Sequence, residues 1–301
     1  MSRLTEPARV DGRMLREWPL PAPGGSKNAR GRVVVIGGSD HSPGAAMLAG
    51  IAALRVGAGR LTLVTPPRVA LPIAVAVPEA GVLALGDGGL DAARGPLGDA
   101  VRSELARADA VLLGPGLDDP GLSRRLIEAV CADDGVGAPL VLDAFALGVL
   151  PQLDVALPRE TVLSPNLEEA GILLGEDRGD PRDGDARETS DDDLDVAATV
   201  ARIADRYGSV TTCFGEVAAP GDRAGHVEAG GPGLGTSGSG DVLAGAIAGL
   251  LARGADAARA TVWATYLHAS AGDRLSGRIS DVGFLARELC DELAHALATV
   301  R

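Results

Sequence analysis

Gly238-Ser239-Gly240-Asp241 closes the stretch GGPGLGTSGSGD, half of whose residues are glycine, and leads straight into VLAGAIAGLLARG. That second stretch reads as a buried helix. Glycine gives up more backbone freedom on folding than any other residue, so a loop this rich in it must gain from the missing side chains. Backbone N–H groups with no Cβ around them can converge on one point. The first turn of a helix adds unsatisfied donors and the positive end of its dipole. The result is an anion hole suited to a phosphoryl group, with the Asp241 carboxylate at its rim as base for a hydroxyl. A capping role for Asp241, worth about 1 kcal/mol, would explain the carboxylate but not the glycines before it. The helix tip favours the charged carboxylate and so predicts a lowered pKa for Asp241. Proton transfer would then come late, once the attacking oxygen has begun to bond to phosphorus, and Asp241 would position the hydroxyl as much as deprotonate it.

A second constellation is Asn166-Leu167-Glu168-Glu169. Asn followed three residues later by Glu has the form of a capping arrangement at a helix start. Glu169 equally suits water-mediated Mg²⁺ beside nucleotide phosphates, because Mg²⁺ keeps several waters and takes few carboxylates. The two roles are compatible, and the spacing does not separate them.

Other readings of the glycines fail. Gly233, Gly235 and Gly238 spell G-x-G-x-x-G, but the dinucleotide motif needs a second strand bearing an acid, and Asp256 falls between two helical segments. No Lys-Ser/Thr pair follows the glycines, which excludes a Walker loop, and no G-x-S-x-G occurs. His41, His226, His268 and His295 are scattered and read as surface or locally satisfied residues rather than metal ligands.

The elements that must hold these groups alternate. VVVI (33–36) is a strand candidate, followed by a helical PGAAMLAGIAALRVGAG with Pro43 in its first turn. RLTLVTPP, DAVLLGPG, PLVLDA, ETVLSPN and SVTTCF (209–214) predict further strands, and EVAAPGDRAGHVEA a hairpin over Pro220-Gly221-Asp222. Strand–helix alternation implies a mostly parallel sheet covered on both faces. After Asp241 three helices follow with no strand between them. Ligands of such sheets collect outside the carboxyl ends of the strands. Here those ends carry GGSDHSPGA, TPP, GPGLDD, DAFA, SPNLEEA, FGE and the glycine loop, which predicts one shared cleft. The acidic run 176–195 reads as a solvated surface loop leading into a helix, and the first thirty residues as an extended arm or short helix packed on the body.

Bulk properties bound the partners. The chain has 301 residues, 46% hydrophobic, with a formal net charge of −13. That acidity, with no basic stripe, argues against nucleic acid, while a small anion needs only local donors. Three cysteines in no ligand spacing, without a secretory pattern at the N-terminus, point to a reducing cytoplasm and no disulfide framework. The charge-free run Val242 to Ala252 is too short to span a bilayer.

GSGD opening a late helix, with N-x-x-E upstream, resembles the ribokinase-like superfamily. Within it, VVVIGGSDHSPGAAMLAGIAALRVGAGRLTLVTP, LLGPGL, PLVLDA and GLGTSGSGDVLAGAIAGLLARG are similar to the NAD(P)H-hydrate dehydratases, from about Gly24 to the C-terminal helix. The resemblance implies a three-layer α/β/α ribokinase-like fold with an all-helical C-terminal segment, spanning 31–301 as one domain behind a 1–30 arm. It implies repair of hydrated NADH and NADPH: the C6 hydroxyl is phosphorylated from ADP, then phosphate is lost. Many bacterial members carry an N-terminal epimerase domain, for which thirty residues leave no room. Carried over by position, Asp241 is the base. Ala45, Gly116, Asn166 and Asp241 meet the substrate, and Phe214, Gly215, Glu216, Val217, Ala218, Gly238, Ser239 and Gly240 meet the nucleotide. Glu169 serves Mg²⁺, and the family implies a homotetramer.

Three positions depart from the family's pattern. Asn166 stands where a His is common, Phe214-Gly215 where Lys-Gly is common, and Phe145 turns LDADAL into LDAFAL. Phe214 removes a cationic phosphate partner, and Asn166 can hydrogen-bond but not protonate near neutral pH. Asp241 and its glycines are intact, which favours an active enzyme over a non-catalytic nucleotide binder. SPNLEEAGILLG is closer to vitamin-kinase segments and keeps a hydroxymethylpyrimidine-type kinase as the rival; the N-terminal block and LLGPGL favour the dehydratase.

Overall fold

Runs such as VVVI are apolar at every position because both faces of the strand are covered. In the computed structural model, which describes residues 9–86, 97–176 and 195–300, nine strands form one sheet in the order β3-β2-β1-β4-β5-β6-β7-β8-β9. These are β1 (Arg32–Ile36), β2 (Arg60–Thr65), β3 (Ala80–Ala84), β4 (Ala110–Leu113), β5 (Leu140–Asp143), β6 (Thr161–Ser164), β7 (Val210–Cys213), β8 (Glu216–Ala219) and β9 (Asp222–His226). Strands β1 to β7 pair in parallel; β8 and β9 pair antiparallel, the second joint being the expected hairpin at Pro220-Gly221.

Alternate side chains divide the core. Val33, Val35, Leu61, Leu63, Leu112 and Val141 face one layer of helices: α2 (Pro43–Arg55), α3 (Pro67–Ala76), α9 (Ser239–Ala252), α10 (Ala257–Arg278) and α11 (Ala286–Val300). Val34, Ile36, Val64, Leu113, Leu142 and Leu163 face the other: α4 (Asp99–Leu105), α5 (Pro120–Cys131), α6 (Phe145–Val149) and α7 (Leu167–Leu174). The two sets of side chains alternate along each strand, as the pleat requires. Helix α8 (Val196–Tyr207) covers the β7–β8 end of the sheet. The expected three layers and strand-free C-terminal helices are present.

Helix α9 is buried nearly all round, which explains its uninterrupted run of small and aliphatic residues from Val242 to Ala252. A Cβ on Gly245 would stand 2.0 Å from the Ala49 carbonyl oxygen, so α9 and α2 meet at backbone distance. This contact sets where the first turn of α9 emerges.

Residues 10–18 pack on this body. The amide of Val10 donates to the His226 carbonyl at 2.8 Å, the short helix α1 (Gly12–Glu17) is capped by Asp11, and the Trp18 carbonyl accepts from Trp263 Nε1 at 2.9 Å. The acidic run lies, except for its two end residues, outside the described residues; Asp195 caps α8. All three cysteines are free. Among the described residues no helix is long and apolar enough to cross a membrane.

Candidate active site

The chain lays down β1, β2 and β3 in one direction, then returns to place β4 on the other side of β1. Loops leaving β1 and β4 therefore diverge, and a crevice opens at their carboxyl ends. A cleft of about 880 Å³ lies there, lined from the turns after β1, β4, β5 and β6 and from the start of α9. It gathers Ala45, Gly116, Asn166, Glu169, Gly238 and Asp241. The expectation that all seven strand ends share it is too broad. The turn after β2 faces the far side of β1, and β7 reverses at once into its hairpin, so neither TPP nor FGE lines the cleft.

Asp241 sits in the first turn of α9, whose N-cap is Gly238 with φ +88°. A Cβ at Gly238 would meet Leu48 Cδ1 at 2.7 Å, so only glycine lets the loop enter the helix here. The Ser239 amide is spent on the Thr236 carbonyl, whereas the first-turn amides of Gly240 and Asp241 have no acceptor within the helix. Asp241 caps nothing with its side chain, which is half-buried on the cleft wall.

The lowered pKa expected of Asp241 is wrong. Burial, and then the nearby charge of Glu169, push it up to about 6. The helix tip is outweighed because desolvation and a like charge both disfavour the ionised carboxylate. Glu169 is itself raised, mainly by burial and against the Asn166 hydrogen bond. Beneath them, at 4% exposure, Asp143 ends β5. Burial, then the charges of Asp241 and Glu169, raise it well above the carboxylate range despite its bond to Ser164. Three carboxyl groups thus share one field and hold protons more tightly than exposed acids do.

The Asn166–Glu169 pair is a full capping box: Glu169 N donates to Asn166 Oδ1 at 2.8 Å, and Asn166 N to Glu169 Oε2 at 2.9 Å. Both residues still line the cleft. Among the described residues no three acidic, His or Cys groups converge as a direct metal shell.

The positions carried over for the nucleotide lie apart from the cleft lining, save Gly238. Phe214, 69% exposed, and Gly215 form the two-residue loop between β7 and β8. Glu216 pairs with His226 at 2.7 Å, and Val217 and Ala218 are buried in β8, so those two offer a ligand only backbone. Ser239 is buried and its hydroxyl faces His268, while Gly240 is exposed.

Sequence reasoning missed Asp143, whose one signal was an acid ending an otherwise apolar strand. It also missed the functional surroundings of two histidines. His268 is buried against Ser239, and His41 at the cleft mouth pairs with Asp118 at 3.0 Å, which raises its pKa. With His226 on Glu216 and His295 on Glu292, all four are locally satisfied, as expected.

Residues 33–295 match the profile of a family described as NAD(P)H-hydrate dehydratase. A Xanthomonas campestris protein named ADP-dependent (S)-NAD(P)H-hydrate dehydratase is 45% identical over 96% of this chain and 95% of its own length. The bifunctional NAD(P)H-hydrate repair enzyme Nnr of Escherichia coli is 31% identical over 96% of this chain, which spans only 52% of that protein. Among solved structures, the ADP/ATP-dependent NAD(P)H-hydrate dehydratase of Bacillus subtilis, co-crystallised with ATP/Mg²⁺, superposes with a TM-score of 0.79. It is 25% identical, over 99% of this chain and 100% of that one.

Proposed function

Because the chain belongs to the NAD(P)H-hydrate dehydratase family, we propose that it returns hydrated NADH and NADPH to the working cofactors by ADP-dependent dehydration. The observation that carries the mechanism is Asp241: a half-buried carboxylate, held near pKa 6, beside the open first-turn amides of α9.

Hydroxide is a poor leaving group and phosphate a far better one, so the hydroxyl is phosphorylated before it leaves. Asp241 accepts the proton of the C6 hydroxyl as that oxygen bonds to the β-phosphorus of ADP and the bond to AMP breaks. The open first-turn amides of Gly240 and Asp241 meet the charge on the phosphoryl oxygens as it passes. The lone pair of the ring nitrogen then expels phosphate from C6, and loss of a proton from C5 closes the double bond. The raised proton affinity of Asp241 suits it to this task, since a base works best with a pKa near the working pH.

Magnesium, when bound, would neutralise the diphosphate oxygens of ADP. Glu169 fits an ion that keeps its waters, because one of its oxygens is engaged by the Asn166 amide and the side chain still lines the cleft. Asn166 orients the hydroxyl by hydrogen bonding and leaves the proton to Asp241. The reading includes a homotetramer, as the family resemblance implies, in the reducing cytoplasm that the cysteine usage suggests, and the mass in solution tests the assembly.

The direct test mixes the protein with hydrated NADH or NADPH, Mg²⁺ and ADP, and follows the returning near-ultraviolet dihydronicotinamide absorbance. Recovery that depends on ADP is expected. No recovery, with phosphate passed to hydroxymethylpyrimidine instead, makes the protein a vitamin kinase.

A further inference from the structure

The proposed substrate is a dinucleotide with a doubly charged pyrophosphate bridge, and this chain carries a net charge of −13. Three of the cleft's lining residues, Glu168, Glu169 and Asp241, are acids. A polyanion entering such a cleft needs a cation at the place where its phosphates come to rest.

Among the described lining residues, Arg124 carries the one permanent positive charge. It lies in the second turn of α5, half-buried, while the neighbouring Leu126, Ile127 and Val130 anchor the helix in the core. Three acids stand close by in sequence, and none of Asp118, Asp119 and Glu128, the last one turn further along α5, pairs with it. Asp118 is engaged by His41 at 3.0 Å, and Asp119 caps α5 by accepting from the Leu122 amide at 2.6 Å. Arg124 has no ion pair or side-chain hydrogen bond among the described residues. An arginine left unpaired on the wall of an acidic cleft, in so acidic a chain, is placed for an anion from outside.

The strand order says which anion. Helix α5 follows β4, and β4 is three places from β7 in the sheet, about 14 Å at ordinary strand spacing. Phe214 and Gly215, carried over for ADP, stand at the β7 end, and α9 packs on the opposite face of the sheet from α5. Arg124 therefore lies away from Phe214 and Gly215, which do not line the cleft, while it shares one cavity with Asp241 and Gly238. In the substrate, the first anionic group beyond the hydrated ring and its ribose is the pyrophosphate; the 2′-phosphate of the NADPH form lies further out, on the adenosine half.

Resting on the function proposed above, we propose that Arg124 is a substrate-specificity residue that binds the pyrophosphate bridge of the hydrated dinucleotide. The planar guanidinium can take two phosphoryl oxygens at once, which a lysine cannot. Because the bridge is common to both hydrates, Arg124 does not select between the two cofactors.

The test compares wild type, Arg124→Gln and Arg124→Lys. Steady-state constants are taken for both hydrates and for ADP, and binding of NADH and NADPH is followed by their fluorescence. For Arg124→Gln, KM for both hydrates and Kd for both reduced cofactors should rise about tenfold or more, the scale of one charge-assisted pair. The value of kcat should hold within about twofold and KM for ADP should stay put, the signature of lost uniform binding. Arg124→Lys should recover part of the affinity. Unchanged constants overturn the assignment, as does a loss confined to the NADPH form, which would move Arg124 to the 2′-phosphate. A raised KM for ADP overturns it too. The reduced cofactors report on Arg124 without turnover. A wild-type protein that binds them through Arg124 but dehydrates neither hydrate would sink the proposed function and leave the pyrophosphate contact standing.

Discussion

His268 Nε2 lies 3.0 Å from the carbonyl oxygen of Ser239 and 2.9 Å from its hydroxyl. A carbonyl only accepts, so Nε2 carries the proton and His268 donates from α10 to the first residue of α9. At 8% exposure the imidazole stays neutral, and burial drives its pKa down to about 4. The turn that presents Asp241 to the cleft is thus tied from behind by a side chain that does not line it.

That tie has a pH signature. Between pH 6.5 and about 4 the unfolded chain binds a proton that folded His268 refuses, so stability falls as pH drops through this window. A shift of this size corresponds to about 3 kcal/mol. His268→Asn should lack that share of the loss, so its stability relative to wild type should improve on acidification from pH 7 to pH 4.5. At pH 7 it should be destabilised by about 1 to 2 kcal/mol through the weakened bond to Ser239. Urea melts of both proteins at the two pH values check this; a difference between them that does not change with pH refutes the buried neutral imidazole.

Asp241 has the opposite sign. Its folded pKa of about 6 exceeds the ordinary 3.8, so from pH 4 to 6 the folded state holds a proton that the unfolded state has lost. Stability therefore falls as pH rises through that range, and the cost is fully present above it. Asp241→Asn removes the charge at nearly constant shape and should be more stable than wild type at pH 8 by about 1 to 3 kcal/mol. It should retain ADP binding and lose turnover. In the wild type, kcat/KM should rise with pH along an acid limb centred near 6. A flat profile from pH 5 to 7.5, or turnover surviving in Asp241→Asn, removes Asp241 as the base.

What the sequence made legible was local. The buried strands announce themselves as unbroken apolar runs, and the glycines before α9 mark a backbone approach. The strand β3, AGVLA, gives no such signal, since it sits at the sheet edge with its residues only partly covered. Glu169 lies 72 positions before Asp241 in the chain, and only the folded sheet buries Asp241 and brings the Glu169 charge onto it. That is why reasoning from the helix tip alone assigned the wrong direction to its pKa. The Asn166–Glu169 box shows the converse: the local signal was right, and the cleft uses the same two residues.

Phe214 stands at a strained backbone position. Cys213 pairs with Glu216, so Phe214-Gly215 is a two-residue hairpin loop, with φ +47° and +83°. Loops of this kind need φ > 0 at both residues and favour Asn-Gly; a bulky side chain in that region costs about 1 to 2 kcal/mol. The ring is largely exposed and its packing offsets little of that cost. Phe214→Asn should therefore raise stability by about 1 kcal/mol, read from the denaturation midpoint at unchanged m-value. Phe214→Lys tests the nucleotide side. A cation at this loop should lower KM for ADP by about fivefold, the worth of one exposed charge-assisted contact, with the hydrate KM unaltered. Should Phe214→Asn instead weaken ADP binding, the ring is itself a contact for the nucleotide, and its strain is retained for stacking rather than left over from drift.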